Sequence, residues 1–302
     1  MKPIERPGRW LIILPPLLFL LIFFLIPFAF AFKISFADTA ARVPPFTDVL
    51  SSTPDHHLRL SLSLANYQYL FTDDVYGVAY LYSLKTAFFS TLICLGLGYP
   101  MAYAIARASK STQNVLLLII ILPFWTSFLL RVYALEGIIR DNGILNTVLL
   151  HLGLIHEPLR IMRTTLAVYL GIIYSYLPFM VLPLFATLEK LDRSLLEAAS
   201  DLGSPPWRVF LDVTLPILRP VLLILTSLSI IWDFGVFTQP YLLIGQGHIH
   251  PGNYLMGIYL FEEGYVKTDF GRGATISLLM LAMVALLSIV YVRKMVALGD
   301  EE

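Results

Sequence analysis

Asp233 stands in an otherwise uncharged stretch, Trp232-Asp233-Phe234-Gly235-Val236-Phe237-Thr238-Gln239-Pro240. It follows Pro220 by thirteen residues, about 20 Å along a helix, so the carboxyl falls well inside a bilayer if this stretch spans one. An acid at that depth costs about 3 kcal/mol or more unless it is paired or faces a water-filled cavity. Two readings stay open. Asp233 lines a pathway with Trp232, Phe237, Thr238 and Gln239, or it bonds to a neighbouring helix and serves packing. Tyr174 and Tyr176, in an earlier apolar run, are further pathway candidates, with core aromatics as the competing reading.

A second group sits in the polar stretch EAASDLGSPPWRVFLDVTLP, residues 197–216. Ser194 and Glu197 have capping-box spacing, in which the serine hydroxyl takes the third amide and the glutamate reaches back to the cap. Leu195, Ala198, Ala199 and Leu202 then recur at helical spacing along one apolar edge. Gly203 stands where a helix end calls for a left-handed residue. Ser204 as cap and Pro205 at the first helical position start a second helix. The first helix has about eight residues, below the ~12 that hold together alone in water. It needs a groove, supplied either by a soluble partner or by the membrane ends of this chain.

Other chemistry is excluded by its missing residues. No G-x-x-x-x-G-K-[ST] loop exists to cradle phosphate, so this chain is not expected to hydrolyse ATP. GQGHIHPG (245–252) is not a dinucleotide fingerprint. His248 and His250 lack ligand neighbours at metal spacing, as do His56 and His57. Cys94, the single cysteine, lies in an apolar run and reads as packing. No nucleophile–base arrangement is present. The expectation is a non-enzyme with neither metal nor cofactor.

These groups need elements to hold them, and composition says which. Hydrophobic residues make up 57% of the 302 and charged ones 14%, against about 25% charged in a soluble domain. Mean hydropathy is +0.75. With zero net charge, there is no nucleic-acid footprint. Six apolar segments follow: Trp10 to Phe32, Tyr80 to Ala106, Val115 to Leu130 (short unless it runs through Tyr133 and Ala134), Thr165 to Leu188, Pro220 to Ile244, and Ala274 to Val292. Each is read as a membrane helix. The first has a basic start at Lys2, Arg6 and Arg9, but its run exceeds a signal-peptide core and reads as a retained helix. The fold class is therefore an all-α polytopic membrane protein with six transmembrane helices.

Orientation follows the basic residues. With the N-terminus inside, segments 1–9, 107–114, 189–219 and 293–302 carry eleven Lys and Arg in 58 positions. The outside loops 33–79, 131–164 and 245–273 carry nine in 110. Both termini and residues 189–219 are thus expected in the cytoplasm. Pro100, Pro123, Pro178, Pro183 and Pro240 fall within apolar runs, with Gly96, Gly98, Gly171 and Gly235 among them. Each proline removes a helix hydrogen bond, and together with the glycines they suggest the broken helices of a moving pathway.

The spacing Glu197-Ala198-Ala199, Gly203, Val213, Leu215-Pro216 resembles the EAA loop of binding-protein-dependent ABC importer permeases. YSLKTAFFSTLICLGLGYPMAYAIAR (82–107) is similar to the second membrane helix of that superfamily, through Ser83, Thr91, Gly98, Pro100, Ala102 and Arg107. The resemblance covers about residues 60–292. It implies a first helix and outer loop over 1–59 and a permease core over 60–302. It also implies that Glu197, Ala198, Ala199, Gly203, Leu215 and Pro216 couple to an ATP-hydrolysing subunit. The implied partners are two ATP-binding subunits, a second permease beside this one (as a heterodimer) and a solute-binding protein outside, with lipid around the helices, in a bacterial inner membrane. ILPFWTSFLLRVYA (121–134), NGILNTVLLHLGLI (142–155) and residues 166–203 resemble spermidine/putrescine permeases. Residues 214–243 and 269–295 are more like sugar-importer permeases, which keeps a sugar as the alternative solute.

Overall fold

The computed structural model describes residues 8–40, 42–52, 58–245 and 254–299. These fold almost entirely as helices, beside a small antiparallel pair, β1 (Leu50–Ser52) and β2 (Leu58–Leu60), in register Leu50 opposite Leu60. His56, His57, His248 and His250 lie outside the described residues. Among the described residues, five helices are long and apolar enough to cross a membrane, or six when one bent pair counts as a single span. By contact the chain forms two units, Met1–Tyr76 with Tyr259–Ala282, and Gly77–Ile258 with Met283–Glu302.

The first span is α1 (Gly8–Leu20), a π-helical turn over Leu21–Leu25 and α2 (Ile26–Ser35). None of its most apolar window is buried by protein, so its apolar surface is left for lipid. It is held at its end: the Asn66 side chain, on α3 (Ala65–Thr72), donates to the carbonyls of Ser35 at 3.1 Å and Ala37 at 2.8 Å. Thr275 Oγ1 also reaches the Ser35 carbonyl, at 3.2 Å.

The core of the larger unit is made by α4 (Asp74–Arg107), α8 (Thr165–Lys190) and α11 (Leu215–Phe234). Cys94, Ala102 and Ile105 pack there on Met180, Val181, Leu184 and Leu218, so Cys94 is a packing residue. The helices approach closely because Gly98 lies under Met180, whose Cγ would sit 2.8 Å from an added β-carbon. Pro100, Pro178 and Pro183 do not interrupt their helices, as α4 and α8 run on through them. A kink is the most that such a proline imposes when neighbouring helices hold both sides in place.

Two spans depart from the sequence expectation. The third begins as α5 (Lys110–Ile121) and tightens into a 3₁₀ turn, Leu122–Trp125. It breaks at Thr126-Ser127 before α6 (Phe128–Ile139), with α7 (Ile144–His151) beyond. The bend is 103°, so the helix does not extend straight through Tyr133 and Ala134. Pro123 has no N–H for the helical ladder. Thr126 turns back instead, donating to the Pro123 carbonyl from its hydroxyl at 2.7 Å and its amide at 3.2 Å.

The fifth span runs Pro206–Phe234 rather than from Pro220 to Ile244. It comprises α10 (Pro206–Val209), a π-helical turn over Phe210–Thr214, and α11. The prolines at 216 and 220 do not start the helix. Within the π turn the Leu215 amide reaches back five residues to the Phe210 carbonyl, which shifts the register where Pro216 cannot donate. At the far end Gly235 and Phe237 leave the helix, and α12 (Thr238–Ile244) follows as a separate element. Pro240 offers no N–H to Val236 there. The remaining helices are α9 (Arg193–Asp201), α13 (Met256–Phe261) and α14 (Phe270–Gly299).

Candidate functional site

The short helix in the polar loop forms as α9, but its cap is not the expected one. Asp192, in extended backbone, accepts the Ser194 amide at 2.9 Å through Oδ1. That bond, aided by the Ser194 hydroxyl, holds the Asp192 carboxyl below its ordinary range. Ser194 therefore lies inside the helix, and no capping box forms with Glu197. Glu197 is exposed, with no hydrogen-bond or ion-pair partner among the described residues. Gly203 does take the left-handed conformation expected, at φ +85°. The next helix starts one residue late, with Pro205 as its cap and Pro206 first. A residue preceding proline is pushed out of the helical region, and Pro205 precedes Pro206.

No residue of α9 is buried. Its apolar edge stays open, Leu195 at 50% and Leu202 at 87% exposure. Ala198 is exposed and Ala199 half-buried. Trp207, which sequence reasoning passed over, adds an exposed aromatic at 59%. Leu215 and Pro216 lie in the first turn of α11. The described residues leave the amphipathic edge uncovered.

The residues around 232 separate into two settings. Asp233 is buried and bonded to Ser90 of α4, whose hydroxyl lies 2.5 Å from Oδ2. Its other oxygen, Oδ1, has no hydrogen-bond partner among the described residues. Gln239 is buried too, packed on Gly171 so closely that an added β-carbon would meet its Cβ at 3.1 Å. Phe237 lies against Tyr241, with centroids 4.9 Å apart.

Trp232 belongs elsewhere. With Tyr176 it lines a recess of about 460 Å³ whose other walls are Phe124, Phe128, Arg131, Ser175 and Phe179. The rings touch in sequence: Phe124 to Phe179 at 5.0 Å, Phe179 to Trp232 at 5.3 Å and Trp232 to Tyr176 at 6.0 Å between centroids. The Arg131 guanidinium stacks over Phe124 at 4.5 Å and over Phe128 at 5.6 Å. Tyr174 is exposed and outside this recess. Residues 175, 176 and 179 share a helix face at spacings of three and four, which position 174 does not join. Arg131, Phe124 and Phe128 went unnoticed in the sequence because Phe124 meets Arg131 and Phe128 only across the bend at Thr126-Ser127.

Long apolar helices around an aromatic-lined recess, with an amphipathic helical loop left open, are the build of a membrane transport component. Residues 95–299 match the binding-protein-dependent transport system inner membrane component, and the chain belongs to that family. It is therefore an inner-membrane permease subunit of an ABC importer. The family works with an ATP-binding subunit, a solute-binding protein and a partner permease, and is not itself an enzyme. The spermidine/putrescine transport system permease protein PotB of Haemophilus influenzae is 36% identical over 232 residues, 77% of this chain and 79% of the relative. PotB of Escherichia coli K12 is 36% identical over 247 residues, 82% of this chain and 88% of the relative. Among solved structures, a bacterial alginate ABC transporter in complex with alginate pentasaccharide-bound periplasmic protein matches with a TM-score of 0.73. The match covers 93% of this chain and 91% of that one, at 15% identity. It speaks for the fold alone.

Proposed function

We propose that this chain is the permease subunit of an importer for polyamines of the spermidine/putrescine type. The observation that carries this reading is the 36% identity, kept over 77% and 82% of the chain, with two permeases named for those solutes. The chain pairs with a different permease, over two ATP-binding subunits. The first helix and its loop, residues 1–59, precede a permease core over 60–302. Both termini and residues 189–219 face the cytoplasm, on the density of basic residues.

Coupling runs through Glu197, Ala198, Ala199, Gly203, Leu215 and Pro216. The open edge of α9 supports this role, since an amphipathic helix left uncovered suits a groove on a soluble partner. Closure of the ATP-binding subunits draws the loops together and biases the helices outward-open, and hydrolysis reverses the shift. Trp232 and Tyr176 line the solute's path. Asp233, Phe237 and Gln239 shape the broken helix end behind it, with Tyr174 on an outer face of the same span.

The test is ATP hydrolysis by the assembled importer in proteoliposomes with its binding protein. Spermidine or putrescine should stimulate hydrolysis severalfold. Stimulation by a sugar panel, with no response to either amine, overturns the polyamine reading.

A further inference from the structure

The recess between α6, α8 and α11 already holds a cation, and that cation is part of the protein. Arg131 has no ion-pair partner among the described residues, and its Nε is buried with no hydrogen-bond partner. Its guanidinium rests on the faces of Phe124 and Phe128. Ring faces carry the negative lobe of the aromatic quadrupole, so they attract cations and repel anions. A guanidinium fixed by a carboxylate would be a permanent structural bridge. One held by rings alone can be exchanged for another cation of similar size.

The remaining lining favours the same ligand class. Ser175 Oγ is buried without a hydrogen-bond partner. Its oxygen lone pairs can accept a hydrogen bond from an ammonium. Trp232 and Phe179 are each 44% exposed, so the recess is open on their side. No carboxylate lines it.

We propose that this recess is a binding station for a protonated aliphatic amine and that Arg131 is its resident occupant, displaced when substrate arrives. The inference rests on the polyamine reading and names the residues that would receive one ammonium group. Phe124 would present its face, Trp232 and Phe179 would close the aromatic wall, and Ser175 would accept a hydrogen bond. Arg131 also bridges the break at Thr126-Ser127, since it lies on α6 and stacks on a ring of the preceding turn. An amine that takes the Phe124 face therefore frees the clasp across the 103° bend.

Equilibrium binding of radiolabelled spermidine to the purified transporter complex, without binding protein, tests the station. Arg131→Met keeps the aliphatic stem and removes the competing charge, so spermidine should bind about fivefold or more tighter than to wild type. Arg131→Lys retains a cation on a similar stem and should stay within about twofold of wild type. Weaker binding to Arg131→Met would mean that the guanidinium donates to the ligand, and the proposal falls. Equal binding to wild type and Arg131→Met, or equal tightening by Met and Lys, overturns it as well. If Arg131→Met yields no folded complex, Phe124→Leu decides: weaker spermidine binding supports the station, and unchanged binding rejects it. Wild-type complex that neither binds nor transports any polyamine would instead refute the polyamine reading, before any variant is compared.

Discussion

Ser90 and Asp233 meet between two membrane helices, hydroxyl to carboxylate at 2.5 Å, with Asp233 almost fully buried. The contact joins positions 143 residues apart and ties the end of α11 to the middle of α4. A buried side chain with a partner of this kind acts first as a lock between helices. Asp233→Asn keeps an acceptor for the Ser90 hydroxyl and should leave membrane level and transport within about twofold. Asp233→Leu leaves the Ser90 hydroxyl its bond to the Thr86 carbonyl at 2.7 Å but removes the tie between the helices, a hydrogen bond to a charged group at about 1.5–3 kcal/mol, and should lower folded yield in detergent. A large transport defect in Asp233→Asn at normal yield would move Asp233 from lock to pathway.

Glu197 and Gly203 should show the opposite profile. Glu197 is exposed and has no bond to another described residue, so Glu197→Ala breaks none of the contacts they make. Gly203→Asp forces a β-carbon into φ +85°, a strain of about 1–2 kcal/mol confined to an exposed turn. Both variants should insert at normal levels, yet lose co-purification with the ATP-binding subunit or uncouple its hydrolysis. Transport should drop about tenfold or more. Wild-type transport and subunit binding in both would remove the loop from the coupling role.

The Asp192 cap carries a pH signature. Its carboxyl is held below the usual range by the Ser194 amide, so the charged form belongs to the folded loop. The stabilisation is then complete above the unfolded value of about 4 and disappears as pH falls through the lowered folded value. Hydrogen exchange at the Ser194 amide should stay protected, after correction for intrinsic rate, from pH 8 to pH 5. Asp192→Ala should remove that protection at every pH. Equal protection in wild type and Asp192→Ala would dismiss the cap.

Glu263 anchors a charge cluster in the smaller unit. It is fully buried, with Lys267 at 2.5 Å and Arg272 at 3.4 Å. Arg272 also bonds Asp269 at 3.1 Å and lies 3.7 Å over the Tyr69 ring. The carboxylate pushes the Lys267 ammonium pKa above its ordinary value. Glu263 is the buried member, whereas Lys267 is 54% exposed and Arg272 keeps Asp269, so losing the carboxylate removes two solvent-screened bonds and costs about 1–3 kcal/mol. Glu263→Leu should therefore lower thermal stability, and Glu263→Leu with Lys267→Leu should recover part of the loss. Similar thermal stability of wild type and the single variant would contradict this.

Apolar run length located the membrane elements because a bilayer asks mainly for length and apolarity. The left-handed turn at Gly203 was equally legible, since few residues other than glycine suit it. The ends were not. Asp192 outcompeted Ser194 for the start of α9, a contest between two good caps that spacing alone does not decide. The fifth span begins upstream of Arg219 because that arginine is exposed at the helix surface and does not bar the helix from continuing past it. The aromatic recess was hidden for a different reason. Phe124 and Arg131 are seven residues apart, and a straight helix already places them two turns apart on one face. Only the break after Trp125 brings the guanidinium down onto the ring.

The first span is pinned at one end, and none of its most apolar window is buried among the described residues. A helix with no buried side chain along its apolar window has no complementary surface to match. The order of its residues then carries almost no information, and what selection reads is length and average composition. Phe19, Phe23, Phe24 and Phe28 are interchangeable with other apolar residues in a way that Ser35, Asn66 and Thr275 are not. Along these few tens of residues the chain works as a solvated tether, free to drift in sequence while its far anchor stays fixed.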